Sequence, residues 1–289
     1  MAAVEIGEAS RFEVRRGDLA LRGEEVGEGP PIVLAHGLTA TRRYVVHGSN
    51  TLARRGYRAI SYDARGHGES DPAPPDSGYG YPRLADDLAA VLDERAGAER
   101  AILAGHSMGA HTIAALALAR PERAAAVVLI GPATTGVPLD REALEGWDRL
   151  AAALEREGVE GFVRANENPS LEPRWRGRVA RITRERLARH RHPDAVARAL
   201  REVPRSMPFD GLEELEFLDV PALVVASHDD VDPGHPYPVA EAWAGRLPRA
   251  RLMSEPRGTS PLAWQGGRLS REIAAFCEEP QVQERLGRG

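Results

Sequence analysis

The chain has 289 residues, is 42% hydrophobic and 28% charged, and carries a formal net charge of -5, so it can bury a sizeable core as one large domain, alone or with an insertion, and lacks the basic footprint of a nucleic-acid binder. All 38 basic residues are arginine and Cys277 is the single cysteine, which excludes lysine Schiff-base chemistry and an intrachain disulfide and agrees with a reducing compartment. The start Met1-Ala2-Ala3-Val4-Glu5-Ile6-Gly7-Glu8 lacks a basic stretch before an apolar run, and no later segment approaches membrane-spanning length, so the expectation is a cytoplasmic protein that neither enters nor crosses a membrane.

Arg11 to Arg15 and Leu19 to Val26 read as a hairpin around Arg16-Gly17-Asp18. Pro31 to Ala35 and Tyr57 to Tyr62 are short apolar strands, and His47 falls in an expected helix between them. Tyr81 to Arg95 places Leu84, Leu88, Val91 and Leu92 on one face of an amphipathic helix. Ala101 to Ala104 is an apolar strand, Thr112 to Arg120 an Ala/Leu-rich helix, and Ala124 to Ile130 a further buried strand. From about Thr134 to Leu218 the pattern turns helical, with Asp140 to Glu157, Pro173 to Arg191 and Pro193 to Val203 divided by Gly and Pro signals. Pro221 to Ala226 and Ala250 to Ser254 resume the strands; an apolar-patterned last helix holds Cys277, and the polar tail from Gln281 to Gly289 is expected to fray. Strands alternating with helices imply an α/β fold with a mostly parallel sheet covered on both sides. The expected division is a core of residues 1–133 and 219–289 with residues 134–218 as a helical cap over the strand ends, where open α/β sheets bind ligands. Between Glu160 and Arg205 stand 12 arginines against six acids, so the cap is locally basic; a solvated face explains that, and an anionic substrate or partner is the sharper alternative.

Gly105-His106-Ser107-Met108-Gly109 joins the strand ending at Ala104 to the helix that follows. Strand, Gly-x-Ser-x-Gly, helix is the context of a nucleophile elbow, with glycines where the sharp turn leaves no room for side chains. Ser107 is the candidate nucleophile, at the positive end of a helix whose backbone N–H groups can meet an oxyanion.

The chain resembles the α/β-hydrolase family, specifically the capped branch of small esterases, lactonases and carbon-carbon bond hydrolases. The resemblance spans nearly the whole chain and rests on the elbow, on His36-Gly37, on Asp63-Ala64-Arg65-Gly66-His67-Gly68-Glu69-Ser70 and on the placing of the cap. It implies an oxyanion hole built from the backbone N–H groups of Leu38 and Met108, and structural rather than catalytic roles for His36, His67 and His106. It also implies a triad acid after the strand Pro221 to Ala226, which places Asp230 there, with Asp229 and Asp232 as neighbouring alternatives.

The family's histidine belongs after the last core strand, but Thr259 stands at that position and no histidine occurs in the 54 residues after His235. A threonine hydroxyl titrates far outside the range of a general base, whereas an imidazole ordinarily titrates near 6.5. His235 preserves the chain order Ser, Asp, His and is the leading substitute; its plain alternative is a polar residue ahead of a helix that begins at a proline. His111, His190, His192, His228 and His47 are weaker candidates. Without a base, a serine hydrolase loses about a million-fold in turnover while its oxyanion hole still acts. Three readings follow: a serine hydrolase of a carboxylic ester, lactone or related small substrate with an atypical triad; a non-hydrolytic binding or sensor protein; or a lyase or isomerase whose oxyanion hole stabilises an enolate. Trp147, Trp175 and Trp264, with Phe162 and Tyr44, are candidate substrate contacts, for which packing is the plain explanation. No ligand spacing for a metal and no phosphate-cradling glycine loop occurs, so no cofactor is expected, and the expected partner is a small molecule. Oligomeric state is not legible.

Overall fold

The computed structural model describes residues 7–169, 171–228, 232, 234–256 and 266–288. Strands β1 (Ser10–Arg16) and β2 (Leu19–Val26) form the expected hairpin, followed by β3 (Pro31–Ala35), a short helix α1 (Thr51–Arg54) and β4 (Arg58–Tyr62). Helix α2 (Tyr81–Arg95), β5 (Ala101–His106), α3 (Met108–Ala119) and β6 (Ala124–Ile130) continue the alternation. After the helical insert come β7 (Ala222–Val225), and on either side of β8 (Ala250–Met253) lie α7 (Tyr237–Arg246) and α8 (Gly266–Cys277), with α9 (Pro280–Arg285) last; within the insert are α4 (Arg141–Ala165), α5 (Pro173–Leu187) and α6 (Pro193–Glu202). The eight strands lie in the order β1-β2-β4-β3-β5-β6-β7-β8. β2 pairs antiparallel with both β1 and β4, and all other neighbours are parallel.

Alternation along the strands builds two cores, because successive side chains point to opposite faces. Val33, Leu103, Val127, Leu129 and Val224 face α2, α3 and α7, meeting Leu88, Ile113 and Trp243. Their neighbours Ile32, Leu34, Ile102, Val128, Leu223 and Val225 face the other way, meeting Leu52 of α1, Ile273 and Phe276 of α8, and Val282 of α9. Each fully buried aliphatic contributes about 1.5–3 kcal/mol, so both faces stabilise the sheet that carries the elbow.

The insert between β6 and β7 has a small core of its own, in which Leu154 and Phe162 of α4 meet Leu187 of α5 and Val196 and Leu200 of α6. Asp140 caps α4 by accepting from the Ala143 N–H at 2.9 Å. The helix expected to end at Glu157 turns at Gly158, whose φ of 64° and ψ of -155° a side chain would resist, and resumes to Ala165. Two local expectations are corrected. His47 lies in a turn with φ of 49° rather than in a helix, and the polar tail is docked as far as Arg285: Val282 is buried, and Arg285 donates to the Ala125 and Ala124 carbonyls at 3.0 and 2.9 Å. Polar composition hid a docked helix because its anchors are one valine and one long guanidinium reaching strand carbonyls. Cys277 is buried in α8 packing, as expected. Among the described residues, no helix is long and apolar enough to cross a membrane.

Candidate active site

Ser107 stands between β5 and α3 with φ of 53° and ψ of -115°, a conformation that costs a residue with a side chain about 1–3 kcal/mol. The surrounding backbone holds it there. Its N–H donates to the Ile130 carbonyl at 2.8 Å and its carbonyl accepts from the His111 N–H at 3.0 Å. The glycines are sterically required: a Cβ on Gly109 would lie 2.0 Å from the Ala35 carbonyl oxygen, and one on Gly105 would lie 2.4 Å from the Gly109 carbonyl carbon. Gly37 brings the next loop in, since a Cβ there would lie 2.9 Å from His106 Nδ1 and 3.3 Å from Ser107 Cβ. Leu38 follows directly, and Met108 opens α3, where the first N–H groups of a helix have no intrahelical acceptor.

His235 is carried to the same place by the loop after β7. Its Cγ and Cδ2 lie 3.3 and 3.4 Å from the position a Cβ on Gly131 would take, so the absence of a side chain after β6 lets the imidazole lie over the strand end. The His235 ring is 5.0 Å, centroid to centroid, from that of His106, the residue before the serine. Its Nδ1 lies 2.7 Å from a carboxylate oxygen of Asp232. A carboxylate only accepts, so Nδ1 carries the proton and Nε2 keeps the lone pair, the tautomer a base needs. Burial raises the Asp232 pKa, but the hydrogen bond from His235 and electrostatic interaction with His235, His106 and the Arg186 guanidinium outweigh it and hold the carboxylate below its ordinary range.

Four other histidines are committed elsewhere. His111 accepts from the Ala133 N–H through Nε2 at 2.9 Å and meets the Tyr81 hydroxyl through Nδ1 at 2.8 Å. His36 accepts from the Ala64 N–H at 2.9 Å and donates to the Gly37 carbonyl at 2.8 Å. Burial pushes both down to about 3. His67 donates to the Arg65 carbonyl at 2.9 Å, and His228 stacks on Tyr237 at 3.9 Å. The loop from Asp63 to Ser70 is structural throughout: Arg65 grips Asp87 at 2.6 and 2.7 Å, and buried Asp63 receives the Arg42 guanidinium and the N–H groups of Arg42 and Glu69.

A family model described as alpha/beta hydrolase fold matches residues 30–220. The chain belongs to the α/β-hydrolase fold family. The hydrolase is 31% identical over 247 residues to 2-hydroxy-6-oxononadienedioate/2-hydroxy-6-oxononatrienedioate hydrolase 2 of Pseudomonas putida, covering 78% of this chain and 82% of that protein. Its fold matches a thermophilic esterase from Thermogutta terrifontis, solved with malate bound, at a TM-score of 0.74 and 24% identity over 93% of this chain and 98% of that one. It also matches the bottromycin epimerase BotH, at a TM-score of 0.68 and 23% identity over 92% and 99% of the two chains. The protein is thus an enzyme of hydrolase type, and because one scaffold serves different reactions, the particular chemistry rests on the site residues.

Of the sequence candidates in the hydrolase, Leu38 packs on the cluster that holds Met108, Gly37 before it approaches Ser107, and His235 lies beside His106, while Asp230, Thr259 and Trp264 lie outside the described residues. Among the described residues, the acid in contact with His235 is Asp232. Within the insert, Trp147 packs on the apolar cluster and Trp175 is flanked by the guanidinium groups of Arg174 and Arg178 at 5.4 and 5.9 Å. Phe162 is likewise buried there, and the Tyr44 hydroxyl accepts from Arg189 at 3.2 Å.

One residue escaped the sequence reading. Arg186, in the last turn of α5, is half-buried; its Nε is fully shielded and has no hydrogen-bond partner, and among the described residues it makes no ion pair. Burial lowers its pKa, partly offset by the negative potential of Asp232 and the Tyr44 hydroxyl, and its charge acts on His106 and Asp232 as well. Among the described residues this guanidinium has no carboxylate in hydrogen-bond contact, and such a group can accept an anion. The signal was its spacing: Arg186 follows buried Thr183 by three residues, on the inward stripe of α5.

Proposed function

We propose that the protein is a serine hydrolase of small carboxylic esters or lactones that carry an anionic group, with helices α4 to α6 as its cap. Ser107 attacks the acyl carbon, His235 Nε2 takes the serine proton and returns it to the leaving oxygen, and Asp232 holds the imidazole in that tautomer and stabilises its protonated form. The N–H groups of Leu38 and Met108 receive the oxyanion. Water then repeats the sequence on the acyl-enzyme. The observation that carries this reading is the 2.7 Å contact between His235 and Asp232, made beside His106 and over Gly131 at the end of the strand next to the elbow. It supports a base arriving from the loop after β7 in place of the one that Thr259 cannot supply. Arg186 supports the anionic substrate class, since among the described residues its shielded Nε has no hydrogen-bond partner and its guanidinium forms no ion pair.

The test is steady-state hydrolysis of short chromogenic esters, neutral and carboxylate-bearing, by the wild type and by Ser107→Ala. Turnover that disappears with the serine hydroxyl, and a lower KM for the charged ester, support the reading. Turnover that survives Ser107→Ala removes the nucleophile from it.

A further inference from the structure

One cap side chain, hydrogen-bonded on both ring nitrogens, reaches the oxyanion loop. His190, just beyond α5, donates from Nε2 to the Thr39 carbonyl at 3.0 Å and accepts at Nδ1 from the Gly68 N–H at 2.9 Å. The Thr39 carbonyl shares a peptide unit with the Ala40 N–H, which donates to the Gly37 carbonyl at 3.0 Å. That carbonyl, in turn, shares a peptide unit with the Leu38 N–H, and it also accepts from His36 Nδ1 at 2.8 Å. A continuous chain of hydrogen bonds therefore runs from the cap histidine through two peptide units to the N–H assigned to the oxyanion.

We propose that His190 is a positioning residue that aligns and polarises the Leu38 N–H from the cap, so that a docked cap and a competent oxyanion hole are one structural state. Each hydrogen bond accepted by a peptide carbonyl strengthens the N–H of the same unit as a donor, and two donors on the Gly37 oxygen fix that unit's orientation. The loop needs such support, because Thr39 adopts φ of 69° with a branched side chain, a conformation that persists only when its surroundings impose it. The Leu38 side chain packs both on the core cluster with Tyr79, Tyr81 and Met108 and on the cap cluster with Phe162 and Leu187, which ties the same residue to the cap a second time. The His190 ring is held edge-on to His67 at 5.5 Å, and His67 in turn lies 5.1 Å from His36. The Arg191 N–H to Gly68 carbonyl bond at 2.8 Å locks the backbone alongside. Burial keeps His190 neutral, its pKa pushed down to about 3, so one nitrogen accepts and the other donates throughout the neutral range.

This inference rests on the oxyanion role of Leu38, so its test includes a readout that needs no turnover. His190→Gln keeps an acceptor and a donor on one planar group; His190→Asn is too short to serve Thr39 and Gly68 together. Amide exchange at Ala40 is measured in both, beside kcat and KM on the ester that the wild type turns over. Removing an oxyanion donor costs about a hundred- to a thousand-fold, and loosening one costs a fraction of that. We expect His190→Asn to speed Ala40 exchange and to lower kcat by about tenfold each, with KM within about twofold, and His190→Gln to restore both to within about threefold. Unchanged Ala40 exchange in His190→Asn overturns the proposal, as does a loss carried by KM alone or one that glutamine does not relieve. If the wild type hydrolyses no ester, the hydrolase reading fails by that result, and the exchange rates still decide whether His190 holds the loop.

Discussion

Acidification should unfold this protein through its buried histidines. His36, His111 and His190 are 2%, 4% and 9% exposed, and burial, the leading cause in each, pushes their pKa values down to about 3. In the unfolded chain they titrate near 6.5. Their folded-state pKa is therefore depressed, and the unfolded state binds more protons wherever the pH lies between the two values. The stability they protect is fully present above about pH 6.5 and drains away as the pH falls towards 3. From about pH 6.5 to about pH 5, each histidine costs between roughly 1 and 2 kcal/mol, and the three together about 5 kcal/mol, comparable with the whole stability of many domains. Urea denaturation followed by circular dichroism across that interval gives the slope directly, to which these three contribute nearly three protons taken up on unfolding at its acid end, and His106, likewise pushed down to about 3 by burial, nearly one more. His111→Gln should lower that slope by about one proton. A flat or rising stability between pH 6.5 and pH 5 would refute the reasoning, because it would mean that these imidazoles are already charged in the folded protein.

Asp232→Asn should lower kcat by about a hundred- to ten-thousand-fold with little change in KM, through loss of the imidazole's orientation and of its charge partner; Asp230→Asn should change kcat by less than about threefold, and the reverse ranking in ester kinetics would return the acid role to Asp230. Arg186→Gln should raise KM for a carboxylate-bearing ester by about 10- to 100-fold, the worth of a hydrogen bond to a charged group, while leaving a neutral ester of the same size unaffected; equal effects on both esters would mean that Arg186 only packs. Gly109→Ala forces a Cβ to within 2.0 Å of the Ala35 oxygen and should cost about 3 kcal/mol or more, a fall in Tm of roughly 10 °C, measurable by calorimetry.

The sheet was legible because each of its parts writes its own period. Tyr81 to Arg95 and Ala124 to Ile130 match their elements residue for residue, one through helical spacing of leucines and the other through a continuous apolar run. Ser107 was legible for a similar reason: the glycines that its strained turn requires lie within two residues of it. The rest of the site depends on distances that no local pattern encodes. Whether His235 reaches the elbow is decided by Gly131, 104 positions earlier in the chain, and whether Arg186 faces inward is decided by how α5 packs. The acid was partly readable. Asp232-Pro233-Gly234-His235 is the composition of a tight turn, which brings its first and fourth residues together, and the His235 N–H indeed donates to the Asp232 carbonyl at 3.2 Å. Family spacing draws attention to Asp230, which lies outside the described residues, because that spacing presumes a histidine arriving from the far side of β8.

The measurement that bears most directly on the proposed triad is the rate at which a reactive organophosphonate labels the protein, followed by intact mass for the wild type, Ser107→Ala and His235→Ala. The account predicts one adduct per wild-type chain, none on Ser107→Ala, and labelling of folded His235→Ala slowed by at least about a thousand-fold. Wild-type rates in His235→Ala would contradict it, since Ser107 would then be activated by some other group.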